Sequence, residues 1–137
     1  MLIAQTALTC LALNLYFEAR NQPLEGQIAV SSVVLNRVKS DKYPNDVCSV
    51  VKQGYVTKQG HMIKNRCQFS WYCDGKGDQP TDRDAYRWSL HVSMMVLYGM
   101  VKDPTGGALY YHSTSVNPEW NLIKQPLEII GDHLFYK

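Results

Sequence analysis

The sequence predicts a mostly helical α+β domain with a small antiparallel sheet, and three observations support this prediction. Apolar residues recur at helical spacing in residues 4–20, 23–38 and 81–99. Two short aromatic-rich runs, residues 109–112 and 134–136, have the composition that strands favour and can pair antiparallel. A chain of 137 residues, 45% of them hydrophobic, can bury one core. We therefore expect a single domain.

The first predicted helix, residues 4–20, carries one carboxylate at the edge of its apolar face. The apolar stripe consists of Ala4, Ala7, Leu8, Leu11, Leu15 and Ala19. Glu18 follows Leu15 by three residues and so lies beside this stripe. Because ionisation is costly next to apolar groups, such a carboxyl group tends to keep its proton, as a general acid requires near neutral pH. The alternative is an exposed charge at the helix end, paired with Arg20 or Arg37.

The second predicted helix is apolar nearly all round, which is typical of a helix in the core that holds its neighbours rigid. Asn21 is a candidate cap, and Pro23 and Glu25 suit the first helical turn. Glu25 is therefore explained as a helix-start carboxylate, with a second catalytic acid as the alternative. Asn36 and Arg37 are expected to fasten helix ends.

The middle of the chain has weaker patterns. Asn45 or Asp46 can cap a short helix that ends near Val51. No periodicity survives in residues 55–82, which predicts a long loop, and such loops are usually functional or disordered. The block 68–72 argues against disorder, because aromatic side chains are costly to expose.

The third main helix is predicted to begin at Thr81 and Asp84, which resemble a capping box with the shorter acid, and to end at Gly99.

The two predicted strands follow that helix near the C-terminus. In the first of them, alternation places Tyr110 and His112 on one side and Tyr111 on the other.

The four cysteines lack the paired two-residue spacings of a zinc site. We expect one disulfide among Cys48, Cys67 and Cys73, formed in an oxidising compartment. Cys10 is expected to be a buried free thiol.

Charge and hydropathy exclude some classes of function. The net charge is +2 and the pI about 8.3, too mild to indicate nucleic-acid binding. No stretch reaches the roughly 20 apolar residues of a membrane span. Residues 1–13 are apolar but contain no Lys or Arg, so we interpret them as part of the first helix and not as a signal peptide.

Several blocks together resemble the SleB-type cell wall hydrolase family, and they occur in the family's order over nearly the whole chain. The blocks are residues 18–20, 23–30, 34–38, 43–44, 67–71, 103–112, 118–120 and 130–136. The resemblance implies a goose-lysozyme-like, lytic-transglycosylase-like fold with one essential glutamate at the position of Glu18. Residues 1–137 would then be a single catalytic domain with no separate wall-binding module. Gln22 departs from the family, whose members often carry an acid there.

This resemblance implies an enzyme that cleaves the β-1,4 bond between N-acetylmuramic acid and N-acetylglucosamine in peptidoglycan. Glu18 would be the catalytic residue. Sugar rings stack on aromatic side chains and hydrogen-bond to Gln and Ser, although Trp71 and Phe69 can equally plug the core. The candidate substrate-binding residues are Gln68, Ser70, Trp71, Tyr110, Tyr111, His112 and His133.

Three alternatives stay open at the level of sequence. A lysozyme-like muramidase would use a second acid such as Glu25. A non-catalytic peptidoglycan-binding module would keep the fold without the chemistry. A zinc amidase would use His112, His133 and an acid, although no short metal-binding spacing supports it.

We expect the protein to act as a monomer on peptidoglycan glycan strands. We expect no cofactor, no metal, no nucleic-acid partner and no membrane insertion. Without a signal peptide, release to the periplasm or cell wall through a phage-made membrane hole is the simplest route, which predicts a phage endolysin. A secreted bacterial enzyme whose leader has been removed is the alternative.

Overall fold

A computed structural model describes residues 6–137, with the side chains of residues 121 and 122 left aside. The helices are α1 (Ala7–Ala19), α2 (Leu24–Lys39), α3 (Val47–Val51) and α4 (Arg83–Leu97). The strands are β1 (Gly54–Val56), β2 (Met62–Cys67), β3 (Tyr110–Ser113), β4 (Pro126–Ile130) and β5 (His133–Tyr136). Two 3₁₀ turns cover Ser70–Cys73 and Glu119–Leu122. No helix within the described range has the length and hydrophobicity to cross a membrane.

The starts of the helices follow from capping side chains, and two predicted caps are wrong. The hydroxyl of Thr6 accepts a hydrogen bond from the backbone N–H of Thr9 and begins α1, while residues 4 and 5 of the predicted helix lie outside the described range. Asp46 caps α3, as predicted. Helix α4 is capped by Asp82, whose Oδ1 accepts a hydrogen bond from the backbone N–H of Ala85, and not by a capping box that begins at Thr81. No side chain caps α2, so Asn21 does not have that role.

Helix α1 is the central element of the core and contacts α2, α3 and α4. Leu11 and Leu15 are completely buried, as are Val30 and Val33 of α2. Each such side chain stabilises the fold by roughly 1.5–3 kcal/mol. The last turn of α1, which carries Glu18, is therefore held by packing on several sides.

The C-terminal sheet has the strand order β3-β5-β4, with antiparallel pairing throughout. Tyr111 of β3 lies opposite Phe135 of β5, which confirms the predicted pairing of the two aromatic runs. Strand β4 was not predicted, because a register shift between Pro126 and Glu128 interrupts its alternation.

The predicted loop over residues 55–82 is wrong in its first half, where β1 and β2 form an antiparallel hairpin. The side chains of both strands are mostly exposed, so the alternation of apolar and polar residues that marks a half-buried strand is missing.

Two disulfides replace the single predicted one. Cys67 pairs with Cys73, within the predicted set. Cys10 pairs with Cys48 and is not a free thiol. Packing of α1 on α3 brings these two Cα atoms to 5.3 Å, a proximity that a sequence separation of 38 conceals.

Candidate active site

Glu18 occupies the last turn of α1, and Tyr111 from β3 contacts it. The Tyr111 hydroxyl donates a hydrogen bond to Glu18 Oε1 at 2.9 Å. Burial raises the pKa of Glu18, although the Tyr111 hydrogen bond and the charge of Arg37 act in the opposite direction. The carboxyl group therefore keeps its proton to higher pH than an ordinary glutamate.

The alternative of an exposed, ion-paired Glu18 does not match this arrangement. Glu18 is partly buried, and it forms no salt bridge within residues 6–137. Arg20 lies instead over the ring of Tyr16, with its guanidinium carbon 4.4 Å from the ring centroid.

Tyr111 is a fixed hydrogen-bond donor. His133 packs edge-on against its ring at 5.1 Å, and the ring of Phe135 lies 5.6 Å away, both measured between centroids. Burial, followed by the charge of Glu18, raises the pKa of Tyr111 well above its ordinary value. The phenol thus stays protonated and donates to the carboxyl oxygen.

Arg37 belongs to the site, which sequence reasoning missed. Arg37 was expected to fasten a helix end, but its Nε donates to the carbonyl oxygen of Leu109, just before β3, at 2.8 Å. Its guanidinium carbon also lies 5.0 Å from the ring centroid of Tyr43 and 5.2 Å from that of Phe69. The side chain is 5% exposed and borders a cavity next to Tyr111. An arginine inside an apolar helix is the signal that could have indicated this position.

That cavity has a volume of about 400 Å³. Its lining residues are Arg37, Gln68, Tyr110, Tyr111, Trp120 and Lys124. A smaller depression of about 160 Å³ borders Glu18 itself along residues 17–22. Tyr111 therefore connects the two, since it lines the larger cavity and hydrogen-bonds to Glu18. Of the predicted binding residues, Gln68, Tyr110 and Tyr111 lie here, and Trp120 was not predicted.

The structure places Trp71 in the core, which corrects its assignment as a substrate contact. Its side chain is 8% exposed, and its ring stacks on Phe17 with centroids 4.9 Å apart. The indole Nε1 donates to Asn14 Oδ1 at 2.9 Å. The plug interpretation therefore fits Trp71 as well as Phe69. Ser70 is exposed on the neighbouring 3₁₀ turn and does not line the cavity.

His112 and His133 support the sheet and do not line the cavity. His112 Nδ1 lies 2.7 Å from the carbonyl oxygen of Ser113 and must donate to it, so Nε2 accepts from the Tyr136 hydroxyl at 2.8 Å. Burial lowers the pKa of His133, with Asp132 opposing and His112 adding to the effect. Within the described range, no three His, Cys, Asp or Glu residues are grouped so that they could hold a metal ion.

The remaining acids in the family-like blocks have other partners or settings. Asp103 accepts hydrogen bonds from Asn36, Thr105 and Gly107, which together lower its pKa although burial alone would raise it. Glu25 is exposed in the first turn of α2.

Three further acids are also accounted for. Asp74 accepts from the backbone of Lys76, and Glu119 begins a 3₁₀ turn. Asp132 accepts from Gln22. Within residues 6–137, none of the five acids hydrogen-bonds to Glu18.

The side chain of Gln22 has a structural role. Its Nε2 donates to Asp132 Oδ2 at 3.2 Å, and its Oε1 accepts from the Asp132 backbone N–H at 2.9 Å. These bonds join the α1–α2 turn to the β4–β5 turn. The adjacent Gly131 has φ +58°, and a side chain there would collide with Gln22.

Comparison with known proteins assigns this chain to a family. The family model for cell wall hydrolases matches residues 21–136. A spore cortex-lytic enzyme of Bacillus cereus is 30% identical over 135 residues, covering 98% of this chain and 45% of that protein. A spore cortex-lytic enzyme of Halalkalibacterium halodurans is 31% identical over 126 residues, covering 91% of this chain and 33% of that protein. The chain thus spans a third to a half of these relatives.

Two solved structures are similar over almost the whole chain. The catalytic domain of the germination-specific lytic transglycosylase SleB from Bacillus anthracis has a TM-score of 0.71 and 29% identity, covering 98% of this chain and 97% of that one. The catalytic domain of Bacillus cereus SleB has a TM-score of 0.68 and 29% identity, covering 98% and 91%. The predicted α+β lysozyme-like fold and the predicted family are confirmed, and the chain belongs to the cell wall hydrolase family.

Proposed function

We propose that this domain is a peptidoglycan lytic transglycosylase that cleaves the β-1,4 bond between N-acetylmuramic acid and N-acetylglucosamine. The observation that carries the proposal is Glu18, a carboxyl group whose pKa is raised by burial and which accepts a hydrogen bond from Tyr111 of the cavity wall. The similarity to the Bacillus anthracis domain, which comes from a lytic transglycosylase, supports the same reaction class.

In the first step, protonated Glu18 donates its proton to the glycosidic oxygen, and the bond from that oxygen to C1 of the muramyl residue breaks. The N-acetyl group of the substrate, or nearby polar groups, stabilises the oxocarbenium-like sugar. The hydrogen bond from Tyr111 and the charge of Arg37 favour the carboxylate that Glu18 has become.

In the second step, the Glu18 carboxylate removes the proton of the muramyl 6-hydroxyl, whose oxygen bonds to C1. The product is a 1,6-anhydro sugar, no water is consumed, and Glu18 regains its proton. One carboxyl group thus acts first as acid and then as base, whereas common glycosidases need two.

The hydrolytic alternative requires a second acid, for which the sequence offered Glu25. Glu25 is exposed at the start of α2 and forms no hydrogen bond to Glu18 or Tyr111 among the described residues, which gives that alternative no specific support.

Mass spectrometry of digested sacculi tests the proposal. We expect 1,6-anhydromuramyl ends, and reducing muramic acid ends without anhydro products would contradict it. A protein that binds sacculi but releases no fragments would indicate the non-catalytic binding module. Cuts that are not glycosidic and stop when a chelator is added would indicate the zinc amidase.

Action outside the cytoplasm is part of the proposal. Two disulfides support it, because disulfides persist in oxidising compartments such as the periplasm or the cell surface. Release by a phage, and action as a monomer, stay predictions. The genes next to this one and the mass of the protein in solution would test them.

A further inference from the structure

The cavity beside Tyr111 is lined by two cations and no carboxylate. Arg37 and Lys124 supply positive charge, while the other lining residues (Gln68, Tyr110, Tyr111 and Trp120) are neutral. A cavity with this lining attracts anions.

Arg37 forms no salt bridge with a carboxylate within residues 6–137, although its charge acts on Glu18. Its Nε bonds to a neutral carbonyl oxygen, and its Nη1 is buried without any hydrogen-bond partner. The rings of Tyr43 and Phe69 lie beside the guanidinium. Burying a guanidinium without an anion is costly, so an unpartnered donor of this kind calls for an explanation. Carboxylates, like phosphates, match the planar donor geometry of arginine.

Lys124 approaches the same cavity from the segment before β4. Its Nζ lies 4.0 Å from the ring centroid of Tyr110, and the guanidinium carbon of Arg37 lies 5.9 Å from that centroid. The pKa of Tyr110 is lowered, first by a hydrogen bond from Tyr43 and then by Lys124 and Arg37, against the effect of burial. The two cations thus act on one region of the cavity.

We propose that this cavity binds a carboxylate on the C3 substituent of the muramyl residue whose bond Glu18 cleaves, with Arg37 and Lys124 as the anion-binding residues. This inference rests on the proposed function, since it assigns part of the same substrate. The carboxylate can be that of the lactyl group or that of a peptide stem attached to it.

The position of the cavity gives this contact a consequence for specificity. The side chain of Tyr111 lines the cavity and hydrogen-bonds to Glu18, so it lies between the two. In the alternating glycan only the muramyl residue carries an acidic substituent. Binding of that substituent therefore places the muramyl C1, and not the glucosaminyl C1, next to the acid.

Calorimetric titration of a Glu18→Gln protein tests the inference without cleavage. The ligands are tetrasaccharides of alternating N-acetylglucosamine and N-acetylmuramic acid in two matched pairs. In the first pair, one member carries the free lactyl carboxylate and the other its carboxamide. In the second pair, both members carry a peptide stem, whose carboxyl groups are free in one member and amidated in the other. We expect amidation to weaken binding about tenfold in at least one pair, as the loss of a charge-assisted hydrogen bond implies. The pair that responds identifies the source of the carboxylate.

Adding Lys124→Met should reduce that preference for the carboxylate, whereas Lys124→Arg should retain it. Lys102→Met is the matched control, because Lys102 is exposed and does not line the cavity, and it should leave the preference unchanged. The Arg37→Lys protein provides a further test if it folds. If it does not fold, the Lys124 variants alone decide whether the cavity cations bind the carboxylate.

Equal affinity for carboxylate and amide in both pairs would overturn the inference, as would the absence of measurable binding. A Lys124→Met change that weakens both members of a pair equally would also overturn it, since it would indicate a general contact. A clear preference in the binding assay, together with no cleavage by the wild-type protein, would support this inference while contradicting the proposed function.

Discussion

The hydroxyl of Tyr111 donates a hydrogen bond to Glu18 across 93 residues of sequence, at 2.9 Å. The bond joins the end of a buried helix to the first strand of the C-terminal sheet. Two opposing effects act on the pKa of Glu18, because burial favours the protonated form of the carboxyl group and the hydrogen bond from the phenol favours its ionised form. A group that must both give and take a proton needs such a balance.

Replacement of Glu18 by Gln should lower the rate of release of muropeptides from sacculi by about 10²–10⁴-fold, the range that general acid–base catalysis supplies. The amide can still accept the hydrogen bond from Tyr111, so the fold should persist, as circular dichroism would show. Glu25→Gln is the matched control and should retain activity, because Glu25 is exposed at a helix start. Activity of Glu18→Gln at the wild-type rate would assign the acid to another residue.

Tyr111→Phe should shift the basic limb of the pH profile of kcat/KM to higher pH. The hydrogen bond from Tyr111 lowers the pKa of Glu18, so its removal lets the carboxyl group keep its proton further into the alkaline range. The maximal rate should fall, because the carboxylate formed in the first step loses a donor. Tyr136→Phe is a comparison within the same sheet, since Tyr136 bonds to His112 and not to Glu18. A basic limb that stays in place or moves to lower pH would contradict this account.

Glu18 should also make folding stability depend on pH. The pKa of Glu18 is raised in the folded state above the ordinary value of 4.5, so the folded protein binds this proton more tightly than the unfolded chain. The stabilisation is complete below that ordinary value and is lost as the pH rises through the folded pKa. The free energy of unfolding of Glu18→Gln minus that of wild type should therefore be larger at pH 7 than at pH 4. Urea unfolding at both pH values measures this difference, and an equal difference at the two would contradict the raised pKa.

Gln22→Glu should destabilise the protein at pH 7 by on the order of 1 kcal/mol. The new carboxylate would replace the amide that donates to Asp132 and would repel that side chain. The loss in the free energy of unfolding should shrink near pH 4, where the introduced carboxylate takes up a proton and the repulsion weakens. Gln125→Glu supplies the control, since Gln125 is exposed and its hydrogen bond to Lys137 uses the backbone. A loss that is the same at both pH values would not fit charge repulsion.

The two disulfides should differ in their contribution to stability. Loop entropy predicts about 4 kcal/mol for Cys10–Cys48, with its separation of 38, and about 2 kcal/mol for Cys67–Cys73, with its separation of 6. Replacing each pair by Ser and measuring urea unfolding compares them. Removal of the Cys10–Cys48 disulfide could instead lower the free energy of unfolding by less than removal of Cys67–Cys73. That result would mean that packing of α1 on α3 holds these helices without the bond.

The sequence alone predicted the elements whose signal is local. A 3.6-residue period placed Glu18 at the edge of the apolar face of α1, and that edge is partly buried in the structure. Alternation in the aromatic run likewise separated Tyr111 from Tyr110 and His112, and Trp120 packs against the latter two. These predictions succeeded because neighbouring positions on one helix or strand share an environment that spacing determines.

Tertiary structure alone decided which distant groups meet. It brought Arg37 from a core helix to the cavity wall, turned Trp71 into the core, and paired Cys10 with Cys48. None of these contacts produces a periodic pattern in the sequence, because each depends on how the helices and the sheet pack in three dimensions. The residue types thus determined a lone acid on a buried helix. Packing decided that a phenol would bond to this acid and that the guanidinium of Arg37 would line the cavity beside that phenol.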